Sequence, residues 1–467
     1  VLYLRLRGAV LERGVKLVVV SPRGMSLDEF ATSVVRCEPG DAARAVSELE
    51  PSALGDSAVF CWGPSSPGRD EGATLDAVID LAVGTRGRVL VCPPHAGSQG
   101  MIDMGVHPRL EAGYRVASDE GMDTRAILEA AAAKELDALV VFGADLIGDF
   151  PDSQLAHRAL ESGVFTVVVE LFPTETAVRA DVVLPSAAYA EREGTFTNLE
   201  RRLQKVEPLV PPPGGASEPW RICAWLASAL GEDWGWHNFE DVWTTIREEV
   251  PTHSAVELAA IVQATPPPTL VYESPFETHP GPRALAGPGG QYPKGYRQGA
   301  PFQTGQNWPL SWELRAFEAT QRPGLIPPTP AAGGTTASSP EPPAGDASAS
   351  SPATFKGSST DASPSSGQFQ LLSGRLIYDE GAMVAKSAAL RGIARRPFVE
   401  MNDQDAKELG VADGDEVVLV SGDTEARLPV VISDIARGAV FVPYDQAGLP
   451  ANTLMSGVNP TVEVKRA

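Results

Sequence analysis

Short apolar runs alternate with helical stretches through the first half of the chain, and this alternation constrains the fold more than any other feature. The runs Val15–Val20, Ala58–Cys61, Arg88–Cys92, Ala138–Phe142, Phe165–Val169 and Val182–Leu184 are rich in β-branched residues and mostly continuous in apolarity. Strands covered by helices on both faces have this character. Between them, Ala42–Leu49, Thr124–Lys134 and Ser153–Glu161 read as helices. Leu128, Ala131 and Ala132 form a stripe at helical spacing, and Gly163 is placed to end the third helix. The expected fold class is α/β, a doubly wound and mostly parallel sheet.

At 467 residues the chain is too long for one hydrophobic core, which implies about two or three domains. The α/β domain is expected over residues 1–230. A helical and irregular extension follows over 231–326, entered by helices at Trp220–Leu230 and Phe239–Val250. Residues 275–305 are rich in Gly and Pro and read as a long excursion over a surface. Residues 327–367 are low-complexity Pro, Ala, Gly, Ser and Thr, with too little apolar surface to offset ordering entropy, and read as a linker. A compact unit over 368–467 has short strands at Phe369–Tyr378, Phe398–Met401, Glu416–Val420, Arg427–Ile432, Ala439–Val442 and Val462–Val464, with a short helix at Asp403–Leu409. The Asp413-Gly414 pair makes a tight turn. This pattern predicts a small β-barrel.

The net charge of -22, from 38 basic and 60 acidic residues, disfavours nucleic acid and anionic lipid as partners. Cys37, Cys61, Cys92 and Cys223 share no metal-ligand spacing, so no metal site is expected in this region. No apolar run is long enough for a membrane span, and no secretory signal is present. Val1–Arg7 begins without Met in structured-looking sequence. The expectation is that more polypeptide precedes it.

Pro22-Arg23-Gly24 stands where a dinucleotide-binding loop would carry G-x-G-x-x-G, and no P-loop is present. His95 lies after a strand end, without a helper close in sequence. Asp145 follows Phe142-Gly143-Ala144, where it serves either as a ligand contact or as a helix cap. Glu191 and Glu193 read either as an acid/base pair or as solvated loop carboxylates. The segment 180–204 is the most informative: a strand at Val182–Leu184 runs into Pro185 and opens into a polar loop with the glycine-centred turn Gly194–Asn198. Thr195, Thr197 and Asn198, with Arg201 and Arg202, are candidates to bind an anion such as a cofactor phosphate. The alternative is hydrogen bonding within a turn. These residues assign no catalytic group.

The segments Leu4–Arg7 with Gly14–Pro22, Gly100–Pro108, Leu139–Asp145, Phe172–Thr176 and Ala180–Gln204 resemble the C-terminal part of the large iron–sulfur subunit of bacterial NADH-quinone oxidoreductase, respiratory complex I, within the molybdopterin oxidoreductase superfamily. Met401 through Gly414-Asp415 to Pro443 resembles the molybdopterin-dinucleotide-binding barrel of that superfamily. The resemblance implies a scaffold in the peripheral arm, beside the flavin- and NADH-binding subunit, on the cytoplasmic face of the bacterial plasma membrane. It implies iron–sulfur clusters in a preceding part of the subunit, FMN in a partner subunit, and no cofactor in this region. Thr195, Thr197, Asn198 and Arg201 would then border a vestigial pocket, with Arg201 crowding any pterin where the family often has Gly. Two alternatives remain. One is the catalytic large subunit of a molybdopterin-dependent enzyme such as formate dehydrogenase, which implies phosphate and pterin contacts from Thr195, Thr197, Asn198 and the loop of the 440s; the other is a non-enzymatic assembly protein.

Overall fold

The computed structural model describes residues 2–263 and 367–467, apart from residues 55–57, 68, 70, 94, 377–378, 380, 388, 391–392, 447 and 450. The predicted extension beyond 263 and nearly all of the predicted linker lie outside the described residues.

The chain opens with helix α1 (Leu2–Arg13), then strands β1 (Val18–Ser21) and β2 (Ser33–Arg36), paired in parallel. Helices α2 (Ala42–Ser47) and α3 (Pro51–Leu54) lead to β3 (Val59–Trp62). Helix α4 (Gly72–Gly84) then connects β3 to its parallel partner β4 (Arg88–Val91). Val46, Val78 and Leu81 pack with Val20, Phe60 and Val89, so one core joins the two strand pairs. Neither β2 nor α4 stood out in the sequence.

After α5 (Ser98–Asp103), the small hairpin β5 (Leu110–Glu111) and β6 (Arg115–Val116) precedes α6 (Thr124–Ala132). A second parallel sheet follows: β7 (Ala138–Phe142), α7 (Leu146–Asp149), α8 (Ser153–Leu160), β8 (Phe165–Glu170), α9 (Glu175–Arg179) and β9 (Val182–Pro185), in strand order β7-β8-β9. The helix starts are chemically fixed. Asp123, Asp152 and Thr174 accept from the backbone N–H groups of Ala126, Leu155 and Ala177, satisfying donors that lack an intrahelical partner. Leu128, Ala131, Leu155, Ala156 and Ala159 bury one side of the unit. The other face of the sheet is less covered than the continuous apolarity predicts. Val140 and Val182 share that face through Val167 and are exposed, as are Phe142 and Phe165.

Gly194–Asn198 is not a turn. Strand β10 (Gly194–Thr197) pairs antiparallel with β11 (Leu203–Val206), and the turn lies at 198–202. Helices α10 (Pro219–Ala229), α11 (Phe239–Glu249) and α12 (Leu258–Gln263) follow. Phe239, Val242 and Trp243 of α11 pack against Leu110, Tyr114 and Leu203.

The C-terminal unit is a closed barrel of β12 (Gln368–Arg375), β13 (Val399–Met401), β14 (Glu416–Ser421), β15 (Thr424–Ile432), β16 (Ala439–Tyr444) and β17 (Thr461–Arg466), in the order β12-β16-β13-β15-β14-β17. Its interior holds Phe369, Leu371, Met401, Val417, Leu419, Leu428, Leu454 and Met455, each fully buried aliphatic side chain contributing about 1.5–3 kcal/mol. Gly414, at φ 86°, makes the turn into β14.

The barrel meets the α/β part through several groups of contacts, among them those near α7 and near β1. Near α7, Asn452 Nδ2 donates to the carbonyls of Ile147 (2.7 Å), Gly148 (3.1 Å) and Phe150 (3.0 Å). Gly457 N donates to Asp152 Oδ2 at 2.9 Å, and Arg125 Nη2 to Gly457 O at 3.0 Å. Near β1, Gly24 N donates to Asp434 O at 2.6 Å and Ala436 N to Pro22 O at 2.8 Å. There Arg36 bridges Asp28 and Asp434.

Replacing Asn452 by Ala leaves these carbonyls without that donor. The expected loss of stability is about 2–3 kcal/mol, read as a lower urea midpoint for the variant. A loss under about 0.5 kcal/mol would mean that water replaces the amide there.

Candidate functional site at the junction of sheet and barrel

Strands β7, β8 and β9 run in parallel, so their carboxyl ends open on one edge, the side where open α/β sheets receive ligands. β7 leaves through Gly143, at φ 59°, to Asp145. Asp145 makes no side-chain cap for α7. Its Oδ1 instead accepts from Thr176 N at 3.1 Å and from the Thr176 hydroxyl, tying the first turn of α9 to the loop after β7. Glu170 ends β8, and burial pushes its carboxyl pKa up, with Asp145 and Asp149 adding to the rise.

The barrel meets this edge with the ends of two adjacent parallel strands, since Arg375 of β12 lies opposite Tyr444 of β16. The Tyr444 hydroxyl donates to Asp149 O at 3.0 Å, and burial raises its pKa. Arg375 Nη2 lies 3.4 Å from Asp149 Oδ1 and 2.8 Å from Asp445 Oδ2. The second contact lacks hydrogen-bond geometry, and Asp445 Oδ2 is buried without a donor. Asp445 stands at φ 53°, in a left-handed conformation that few side chains adopt. Its pKa is raised to about 6 by burial, against Arg375, with Asp149 and Asp379 adding to the rise. Gln446 is buried: its Nε2 donates to Tyr444 O at 3.1 Å, and its Oε1 finds no donor. The junction thus offers buried acceptors and a carboxyl poised near neutral pH to a ligand bearing N–H or O–H groups.

Apart from Asp145, the residues singled out from sequence lie elsewhere. Thr195 and Thr197 are on β10. Thr197 is buried where a Cβ on Gly100 of α5 would meet its Oγ1 at 3.5 Å. Asn198 Oδ1 accepts from Glu200 N and Arg202 N, both at 2.9 Å, and its Nδ2 donates to Gln204 Oε1. Asn198 therefore closes the hairpin turn, in which Arg201 stands at φ 59°. Arg202 is buried and pairs with Glu200 at 3.1 Å. Glu191 Oε2 accepts from Ala188 N, and Glu193 pairs with Lys205 at 2.6 Å. The two carboxylates thus have separate partners rather than forming an acid/base pair. The His95 side chain is exposed.

The loop of the 440s, which holds Asp445 and Gln446, was expected to contact a cofactor only under the formate dehydrogenase alternative, and sequence reading missed Asp149, Glu170, Arg375 and Asp379. That reading also missed His253, which burial pushes down to about 4. The four cysteines form no disulfide, and burial raises the Cys37 thiol pKa to about 11. Among the described residues there is no group of three or more His, Cys, Asp or Glu that could hold a metal ion, and no helix long and apolar enough to cross a membrane.

Comparison with known proteins matches residues 67–229 to the family described as Molybdopterin oxidoreductase, and residues 369–465 to the Molydopterin dinucleotide binding domain. The chain is 28% identical over 369 residues to the F420-dependent formate dehydrogenase subunit alpha of Methanocaldococcus jannaschii, covering 74% of this chain and 46% of that protein. It is 27% identical over 397 residues to an NADH-quinone oxidoreductase subunit of Streptomyces coelicolor, covering 80% of this chain and 36% of that one. The chain therefore spans less than half the length of both relatives. Among solved structures, acetylene hydratase from Pelobacter acetylenicus superposes with a TM-score of 0.56 at 14% identity, over 98% of this chain and 75% of that one, a likeness of fold. The chain belongs to the molybdopterin oxidoreductase superfamily, with an α/β, mostly parallel domain and a C-terminal barrel.

The raised pKa of Asp445 has a definite sign. The folded state holds this proton up to about pH 6, while an unfolded Asp, with an ordinary value of 3.8, has released it. Acidification from pH 7 toward pH 4 therefore stabilises the fold through this group. Asp445→Asn, which tolerates the left-handed backbone, is expected to lack that gain. Urea unfolding at pH 7.5, 6 and 4.5 should show the variant's advantage shrinking as pH falls. A pH-independent difference between the two proteins would rule out the titration.

Proposed function

We propose that this chain is the cofactor-holding part of the catalytic subunit of a molybdopterin-dependent oxidoreductase of the formate dehydrogenase type. The observation that carries the reading is the pair of buried acceptors without donors, Asp445 Oδ2 and Gln446 Oε1, at the carboxyl edge of the sheet. A neutral acceptor such as Gln446 Oε1 costs about 1–3 kcal/mol when left unsatisfied, while Asp445 Oδ2 keeps only the ion-pair contact with Arg375 at 2.8 Å. The nucleotide end of a molybdopterin dinucleotide carries the N–H and O–H groups that would satisfy them, so the donor and acceptor chemistry fits. Asp445, Gln446 and Glu170 would hold that end, with Arg375 limiting the negative charge of the cluster. When bound, the group supplies two-electron redox chemistry at a pterin-held metal. Asp145 and Asn452 keep the loops around these acceptors in place. Similarity to a formate dehydrogenase alpha subunit supports the choice of reaction.

Similarity to an NADH-quinone oxidoreductase subunit favours a second reading, a scaffold in the peripheral arm of that complex. Under it, the flavin-binding subunit is a neighbour, the iron–sulfur clusters and FMN lie outside this region, and the complex sits on the cytoplasmic face of the membrane. Thr195, Thr197, Asn198 and Arg201 would then line a vestigial pocket.

Purification of the native complex from its source, with a tag on this chain, separates the two readings. The expected result is near-stoichiometric molybdenum and pterin, with formate-dependent reduction of an artificial dye. Flavin, iron and many partner subunits without molybdenum would overturn the catalytic reading in favour of the scaffold.

A further inference from the structure

The loop between β3 and α4 carries a guanidinium, that of Arg69, which makes no ion pair among the described residues. Arg69 donates through Nη2 to Gln370 Oε1 of β12 at 2.9 Å. Its Nε and Nη1 are buried and meet no acceptor. The carboxylate that acts on it is Glu71, and Glu71 is turned to Ser65, accepting from the Ser65 N at 2.9 Å and from the Ser65 hydroxyl. Burial lowers the pKa of Arg69, with Glu71 only opposing the shift. Arg36, Arg125 and Arg437 differ from it in having ion pairs, with Asp28 and Asp434, with Asp152, and with Asp405.

The surroundings hold Arg69 in place. Ser66 Oγ accepts from Ser373 N of the barrel at 2.9 Å, fixing the loop three residues earlier. On the other side lies Gly40, at φ 91°, just beyond the end of β2, where an added Cβ would stand 3.1 Å from Arg69 Nη2. A glycine there lets the backbone approach the guanidinium.

We infer that Arg69 anchors a binding site for a phosphate-class oxyanion where the loops after β2 and β3 meet strand β12. A buried guanidinium with unmatched N–H donors is stabilised by an anion that accepts charge-assisted hydrogen bonds, and phosphate oxygens suit this geometry. The oxyanion is either a phosphate of a bound cofactor or a free inorganic phosphate. Arg69 and its neighbours alone define this site, whichever reading of the catalytic role holds.

The test compares the full-length protein with Arg69→Gln and Arg69→Lys, after checking that each melts like the parent. Bound phosphorus released by acid is measured on the protein as isolated, and inorganic pyrophosphate binding is measured by calorimetry at low ionic strength. If the source is a cofactor, Arg69→Gln is expected to carry less bound phosphorus than the parent. If the source is free phosphate, the parent is expected to bind pyrophosphate at least about tenfold more tightly than Arg69→Gln. Arg69→Lys should fall between them in either arm, and it keeps the test open if the neutral variant fails to fold. Equal phosphorus and equal pyrophosphate binding in all three proteins would overturn the inference. Absence of molybdenum and pterin from the parent would defeat the catalytic reading while leaving the pyrophosphate comparison intact.

Discussion

Carbonyl groups at the end of a helix have no partner within it, and in this protein such groups decide where the barrel sits. The carbonyls of Ile147, Gly148 and Phe150 cluster around the end of α7, a helix of only four residues. Buried without a donor they would destabilise the fold. A single amide, that of Asn452, answers all three, and it belongs to the barrel. Satisfying the end of one helix therefore brings the ends of β12 and β16 to the carboxyl edge of β7 and β8. Asp149 and Asp445 meet there across the junction, and burial raises the carboxyl pKa values of Glu170 and Asp445.

A second group of contacts is of another kind. Near β1 the contacts are partly electrostatic, with Arg36 between Asp28 and Asp434, and Arg23 stacked 3.7 Å over the ring of Phe441 and 3.4 Å from Glu400. Burial raises the pKa of Glu400, and Arg23 only partly offsets the rise. Ion pairs of this kind weaken as salt rises, whereas the amide contacts at Asn452 do not. The barrel is thus held at Asn452 by neutral hydrogen bonds and near β1 largely by charge.

The sequence made the architecture legible where periodicity carries the information. The strands β3, β4, β7, β8 and β9 are compact apolar runs, and the helix Asp403–Leu409 is followed by Gly410 in the left-handed conformation. It was less clear where the elements are short or mixed. β2 is only Ser33–Arg36, and β10 begins with a glycine, so Gly194–Asn198 reads as a turn although its hydrogen bonds form a ladder. The site was less legible still, because it forms between distant segments. Asp149 and Arg375 are 226 positions apart, and no local spacing rule joins them. Asn198 shows the converse: a conspicuous polar residue whose three hydrogen bonds all serve its own turn.

The strand order of the barrel bears on how the protein is made. Among sequence neighbours, only β14 and β15 pair directly; β12 lies between β16 and β17. The first strand therefore has neither of its partners until the last two have left the ribosome. Until then β12 presents two unpaired edges, and the carbonyls after α7 wait for Asn452. Delayed pairing of this sort slows folding and favours association between chains. Any ligand held at the junction has to arrive after synthesis of this region is complete.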